Sequence, residues 1–286
     1  MKHALLLSAA LMLAAVPAAC GQAGETAEVP NTVVQVAGSD GAATDPQDMS
    51  AADMPRFLLV DTETLKADVR FEEALFSFNP AIAADLIEDA NGRIEAMQED
   101  ADTYKEADPE YFRPYGLKID WRVTGAAGTL AGLEGFIFTF TGGAHGNYMT
   151  DARIYDTETG ERMRVGDLFA DRATAASALA PIVAEGIAEA KVQRSGSPDS
   201  RETFLGEAKD ALGNLDVLSG EISLIASTDA EKLGGIVLHF APYEIGSYAE
   251  GAYHVTLPQA GFHDLLKPQY ADFFAGDPAD IQRFGD

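Results

Sequence analysis

The stretch TFTGGAHGNYMTDARIYDTETGERM, Thr139 to Met163, decides how this chain is read. Three glycines and a histidine fall between Gly142 and Gly146, and the residues on both sides alternate in a β pattern. Upstream, Phe136, Phe138 and Phe140 share one strand face, and Ile137, Thr139 and Thr141 the other. Downstream, Asn147 to Tyr155 alternates again, Asp156 to Gly160 reads as a turn, and Glu161 to Val165 as a short strand. Glycine accepts positive φ and close backbone approach, so a glycine cluster between strands suits a sharp reversal. Gly143 is expected to be required for that reversal. A phosphate cradle would need the loop to open a helix with its amide groups facing the anion, and no P-loop lysine is present. Nucleotide binding is therefore not expected.

Working outward, Arg56 to Leu65 and Asp68 to Phe78 read as strands. In the second, Val69 and Phe71 share one parity and Phe76 and Phe78 the other, which predicts a bulge or break near Glu73. Asn79-Pro80 opens a helix with a good N-cap and a proline in the first turn. Ala83, Leu86, Ile87, Ala90, Ile94, Met97, Ala101 and Tyr104 then recur at helical spacing. Tyr115 to Val123 and Gly135 to Thr141 read as strands. A second helix follows Asp171, kinked or restarted at Pro181, and a third follows Ser200. Glu221 to Ala226, Gly235 to Ala241 and Ala252 to Leu257 read as strands, and a last short helix holding Phe262, Leu265 and Leu266 stops before Pro268. The pattern predicts an α+β fold, with mixed, mainly antiparallel sheets packed by several helices.

The first twenty residues, MKHALLLSAALMLAAVPAAC, have a basic start, an apolar run and a small-residue end, the layout of a secretory signal. Cys20 is the only cysteine and follows two alanines, as at a bacterial lipoprotein cleavage site. It is expected to carry lipid and become the new N-terminus. Gly21 follows it, which predicts the outer membrane, facing the periplasm, in a Gram-negative host. Residues 21–55 are rich in Ala, Gly, Asp, Thr and Pro and read as a tether. Residues 56–286 then form the folded module, with two sub-lobes, 56–145 and 146–286, as an option. Lys plus Arg total 20 against 46 Asp plus Glu, a net charge of −26. Removing residues 1–20 deletes one lysine and no acid, so the remainder is more negative still. Such a surface repels nucleic acid and suits basic proteins, although acidity also serves solubility alone.

The residues that could carry chemistry give no positive support for an enzyme. His145 is a candidate base or ligand, but also a candidate structural residue of the turn. His239 and His254 would face each other across a hairpin centred near Gly246-Ser247, and with His145 they form the alternative, an envelope hydrolase or metalloenzyme. No fixed metal-ligand spacing backs it, so no metal and no cofactor are expected. Asp156, Glu158, Gly160 and Asp167 fall short of a calcium loop, because the glycine comes one position early.

Three segments in this order, FTFTGGAHGNY, DTETGERMRVGDLF and HFAPYEIGSYAEGAYHVTLP, resemble the extracellular domain shared by RsiV-type anti-sigma factors and PdaC-type peptidoglycan deacetylases. The likeness spans most of Arg56 to Lys267, and GGAHG and PYEIGSYAEG are its more specific parts. It implies an α+β module at the cell surface, which in the RsiV type binds lysozyme. The chain has neither a sigma-binding segment nor a deacetylase domain, so neither activity is expected. What the resemblance implies is a lipid-anchored envelope binding module for a lysozyme-like cationic protein or peptidoglycan. Gly142, Gly143, His145 and Gly146, with Pro242, Tyr243 and Gly251, are the residues that either contact the partner or shape the fold.

Overall fold

The computed structural model describes residues 45–213 and 215–280. Cys20, the signal-like segment and the first part of the tether lie outside them. A six-stranded sheet runs in the order β1 (Phe57–Asp61), β2 (Leu65–Phe71), β3 (Tyr115–Ala127), β4 (Leu130–Phe140), β5 (Asn147–Asp156), β6 (Arg162–Met163). All neighbours are antiparallel except β2 and β3. That parallel pair needs a crossover, and α1 (Pro80–Ala107) supplies it. A second, antiparallel sheet holds β7 (Glu221–Ala226), β8 (Leu233–Phe240) and β9 (Tyr253–Pro258). Two helices, α2 (Arg172–Ser195) and α3 (Arg201–Leu212), precede it, and a short α4 (Pro268–Ala271) follows. The α+β expectation holds, with mixed and mainly antiparallel sheets.

Asn79 caps α1, its side chain accepting from Ala81 N at 3.0 Å, with Pro80 in the first turn. The conflicting parities of Asp68 to Phe78 arise because β2 stops at Phe71 and Glu73–Ser77 is a 3-10 turn. Pro181 lies inside α2, which runs on to Gly196 in the left-handed region at φ 63°. The short helix expected before Pro268 is instead two 3-10 turns, Gln259–Gly261 and His263–Leu265, and Pro268 opens α4 rather than ending a helix. Proline serves equally as a first helical residue and as a stop, so its presence alone does not say which side of it is helical. Within the stretch read as tether, Pro46–Asp48 is a 3-10 turn and Met54 is buried, with Arg56 donating to the Ala51 and Met54 carbonyls.

Two apolar cores divide the work. One gathers Leu86 and Ile87 of α1 with Val69, Ile119, Leu133 and Tyr155 of the large sheet. The other gathers Leu179, Val183 and Ile187 of α2 with Leu224, Ile236 and Val255 of the small sheet. The large sheet carries β4 and β5 as neighbours on either side of residue 145. Charge also fixes α1 to β5: buried Arg153 pairs with Asp151 at 2.9 Å, Asp89 at 2.9 Å and Asp85 at 3.1 Å, and Arg93 reaches Asp89 and Asp151. With these carboxylates around it, the Arg153 guanidinium stays protonated despite its burial.

The sheets meet where the sequence is poorest in side chains. A Cβ on Gly125 would lie 2.5 Å from Ala226 N, and one on Gly132 would lie 2.7 Å from Leu224 N. Thr124 Oγ1 donates to the Leu224 carbonyl at 2.5 Å across this junction. β3 and β4 therefore extend through GAA and LAGLE, beyond the predicted Val123 and before the predicted Gly135. Small residues there read as loop, yet they are strand positions emptied to admit β7.

Candidate functional site

The β4–β5 hairpin ends in the pair Thr139 and Asn147, and the GGAHG loop caps it. Gly142 has φ 84°, a conformation L side chains rarely adopt. A Cβ on Gly146 would lie 2.2 Å from the Phe138 ring. Gly143 has neither a positive φ nor a crowded neighbour, so the turn depends on Gly142 and Gly146, and the expectation for Gly143 is corrected. His145 is exposed, with Nδ1 3.0 Å from the Gly146 carbonyl. A carbonyl only accepts, so in this contact the imidazole carries a proton on Nδ1.

The third segment of the resemblance lies on this loop. Tyr248 Oη donates to the Gly146 carbonyl at 2.6 Å. The His145 ring stacks on Tyr248 with centroids 4.2 Å apart. Tyr243, 65% exposed and at φ 77°, lies 5.4 Å from Tyr248, and Tyr148 lies 6.4 Å from it edge-on. Ala252 N donates to Tyr148 Oη at 3.3 Å. Gly251 holds φ 76°, and Pro242 is half-buried beside Tyr243. The result is a surface cluster of one imidazole and three phenols, built from segments about a hundred residues apart.

Glu250 holds the third segment in place. Its carboxylate accepts from Ser247 N at 2.8 Å, Tyr253 Oη at 2.6 Å and Lys191 Nζ at 3.1 Å. The Tyr253 and Ser247 hydrogen bonds, then the Lys191 charge, pull this carboxyl down to about 2. Arg194 of α2 donates to the Glu250 carbonyl at 2.6 Å and lies 4.0 Å over the Tyr253 ring. The loop is thus tied to α2 through Lys191 and Arg194.

His239 and His254 lie in a polar chain between the sheets, apart from His263, whose Nε2 is 3.2 Å from the Ala271 carbonyl. His239 and His254 do pair across β8 and β9, with Nδ1 atoms 2.8 Å apart. His239 Nε2 meets Ser223 Oγ at 2.9 Å and Glu134 Oε1 at 3.1 Å, and Ser223 Oγ donates to Glu134 at 2.7 Å. Arg122 closes the chain on Glu134 at 2.8 Å. Burial raises a carboxyl, but His239, Arg122 and Ser223 outweigh it and hold Glu134 well below its ordinary value. Serine, histidine and carboxylate invite comparison with a hydrolase triad. Here both Ser223 and Glu134 address the same imidazole nitrogen, and Ser223 has no exposed surface. A triad needs the acid on the opposite nitrogen and the nucleophile open to substrate. This chain is a sheet-joining network.

The three-histidine alternative does not assemble: His145 stacks on Tyr248, while His239 and His254 bond each other. Among the described residues no three His, Cys, Asp or Glu side chains are grouped to hold a metal. The calcium-like segment is a turn, because Asp156 Oδ1 is occupied by Glu158 N and Thr159 N, both at 2.9 Å. Glu134 and Ser223 escaped sequence reading; a lone acid inside the apolar run LAGLEGFIF was the one signal for the first.

No protein of curated function matches this chain. Among the solved structures that are similar, two are each 16% identical. A member of the DUF3298 family from Bacteroides fragilis NCTC 9343 aligns with a TM-score of 0.47 over 73% of this chain and 88% of its own. A DUF3298 family protein from Pseudomonas aeruginosa PAO1 aligns with a TM-score of 0.38 over 74% and 87%. Residues 166–260, which include α2, α3, the small sheet and the Tyr248 loop, match the family model described as "Protein of unknown function (DUF3298)".

Proposed function

We propose that this chain is an exported, lipid-anchored envelope module that binds a basic protein through the His145, Tyr148, Tyr243 and Tyr248 cluster. The observation that carries this reading is the Tyr248 to Gly146 hydrogen bond, which joins the two segments most specific to the RsiV-type resemblance into one exposed surface. Tyrosine offers large contact area at low entropic cost and a face for Arg or Lys. The net charge of −26 supports a cationic partner of the lysozyme kind, by drawing it in over long range. Glu244, exposed beside Tyr243, adds to that field.

The test is binding kinetics of the full chain with lysozyme across a salt series, with an equally basic unrelated protein and isolated sacculi as controls. Salt should slow association and leave dissociation nearly unchanged, because screening acts on the encounter and not on a shaped contact. Tyr243→Ala should speed dissociation. Equal binding of the basic control at every salt would reduce the acidity to a solvated surface. Retention on sacculi without lysozyme binding would move the partner to peptidoglycan.

A further inference from the structure

A cleft of about 520 Å³ opens between β5, β6, the start of α2 and the loop entering β7. Three arginines line it, Arg162, Arg164 and Arg172, in a chain with only 20 Lys and Arg against 46 acids. Two of them, Arg162 and Arg164, stand in the second segment of the resemblance, which the surface cluster does not use. Their charges are unequally engaged. Arg172 pairs with Asp216 at 2.6 Å. Arg162 is only 4.0 Å from Asp151, whose carboxylate is already taken by Arg153 and Arg93. Among the described residues the Arg164 guanidinium makes no ion pair, and it is exposed. Beneath this rim lie Ile154, Met163, Leu218 and Ile222.

We infer that this cleft binds an amphiphilic organic anion, with a carboxylate or phosphate head on Arg162 and Arg164 and an apolar body on the Met163 and Leu218 floor. Guanidinium forks match both head groups in planar, two-point fashion, and the volume suits a small ligand. A free carboxylate in the lining would repel such a head. The one present, Glu221, is half-buried; burial pushes its carboxyl above the ordinary value, against the hydrogen bond it accepts from Ala152 N at 2.8 Å. The inference is independent of the His145 and Tyr248 surface.

Calorimetric titration of the full chain, in buffer free of other amphiphiles, tests it with octanoate, octyl phosphate, octanol and inorganic phosphate. At least one octyl anion should bind saturably, and which of them binds tells the head group apart. Octanol and inorganic phosphate should each bind at least roughly tenfold more weakly, since each lacks one half of the match. Arg164→Glu should weaken the anion roughly tenfold or more, and Arg164→Lys less. Ser219→Glu, an exposed change on the same rim, should act in the same direction, and circular dichroism should find all three variants folded. The inference is overturned if neither octyl anion binds, if octanol binds as tightly as they do, or if folded Arg164→Glu and Ser219→Glu keep wild-type affinity.

Discussion

Tyr248 donates its phenolic hydrogen to the carbonyl of Gly146 at 2.6 Å, and the same carbonyl faces His145 Nδ1 at 3.0 Å. Two loops that share no strand pairing are thereby locked tip to tip. Tyr248→Phe keeps the ring stacked on His145 and removes only the hydrogen bond. It should cost about 1 kcal/mol in urea denaturation, the usual net worth of such a bond. Amide exchange at Gly146 and Asn147 should quicken, whereas exchange in β8 should not. Unchanged exchange at the tip would mean that the bond does not hold the loops together.

The glycines separate turn from filler. Gly132→Ala puts a methyl 2.7 Å from Leu224 N, so the sheets must move apart, at a cost of about 1–3 kcal/mol. Gly143→Ala meets only the His145 carbonyl at 3.9 Å and has no positive φ to relieve. Its effect should be near zero, or slightly stabilising through the unfolded chain. Thermal melts of the two variants side by side check both.

Glu134→Ala should be the most damaging single change in the polar chain. It leaves Arg122, His239 and Ser223 facing one another without their shared acceptor, and breaking a buried charged pair from one side costs about 3–5 kcal/mol. Ser223→Ala removes one donor and keeps the Glu134 to His239 contact, so it should cost less. Equal losses for the two would place the energy in Ser223.

Glu250 gives the fold an acid-sensitive contribution. Its carboxyl is held at about 2, against an ordinary value of 4.5, so the unfolded chain takes up the proton first. The contribution is complete above pH 4.5 and is lost as pH falls toward 2. Glu250→Gln should therefore be less stable than wild type at pH 7, and the gap should narrow at pH 3. Urea midpoints of the two proteins at several pH values measure it, and a constant gap would contradict it.

Cys20→Ser should move the protein from the membrane fraction to the soluble one. Several acyl chains give firm retention where one gives marginal binding. A variant that fractionates like wild type would remove the anchor from the proposed function.

Local chemistry in the sequence was enough for α1 and the hairpin strands. Asn79-Pro80 states a helix start, a 3.6-residue apolar stripe states its buried face, and Phe136, Phe138 and Phe140 state a strand by alternation. The facing of His239 and His254 followed from the same logic, because strand register is a local count once the turn is placed. Such signals depend on neighbours within a few residues, so one sequence carries them whole.

The candidate site was half legible. GGAHG and PYEIGSYAEG stood out separately, but nothing in either segment says that Tyr248 reaches Gly146. The extension of β3 and β4 through GAA and LAGLE was illegible for the same reason: Gly125 and Gly132 are small because β7 crosses them, and β7 lies about a hundred residues away. Glu134 looks like a solvent-facing strand residue until Ser223 and His239 arrive from the other sheet to bury it. The sequence by itself determined the strongly periodic elements, such as α1 and the hairpin strands, and the acidity of the chain. Only the tertiary structure decided which glycines serve turns and which serve packing, which polar groups are sealed inside, and which distant loops share one surface, because each of those depends on a neighbour supplied by another part of the chain.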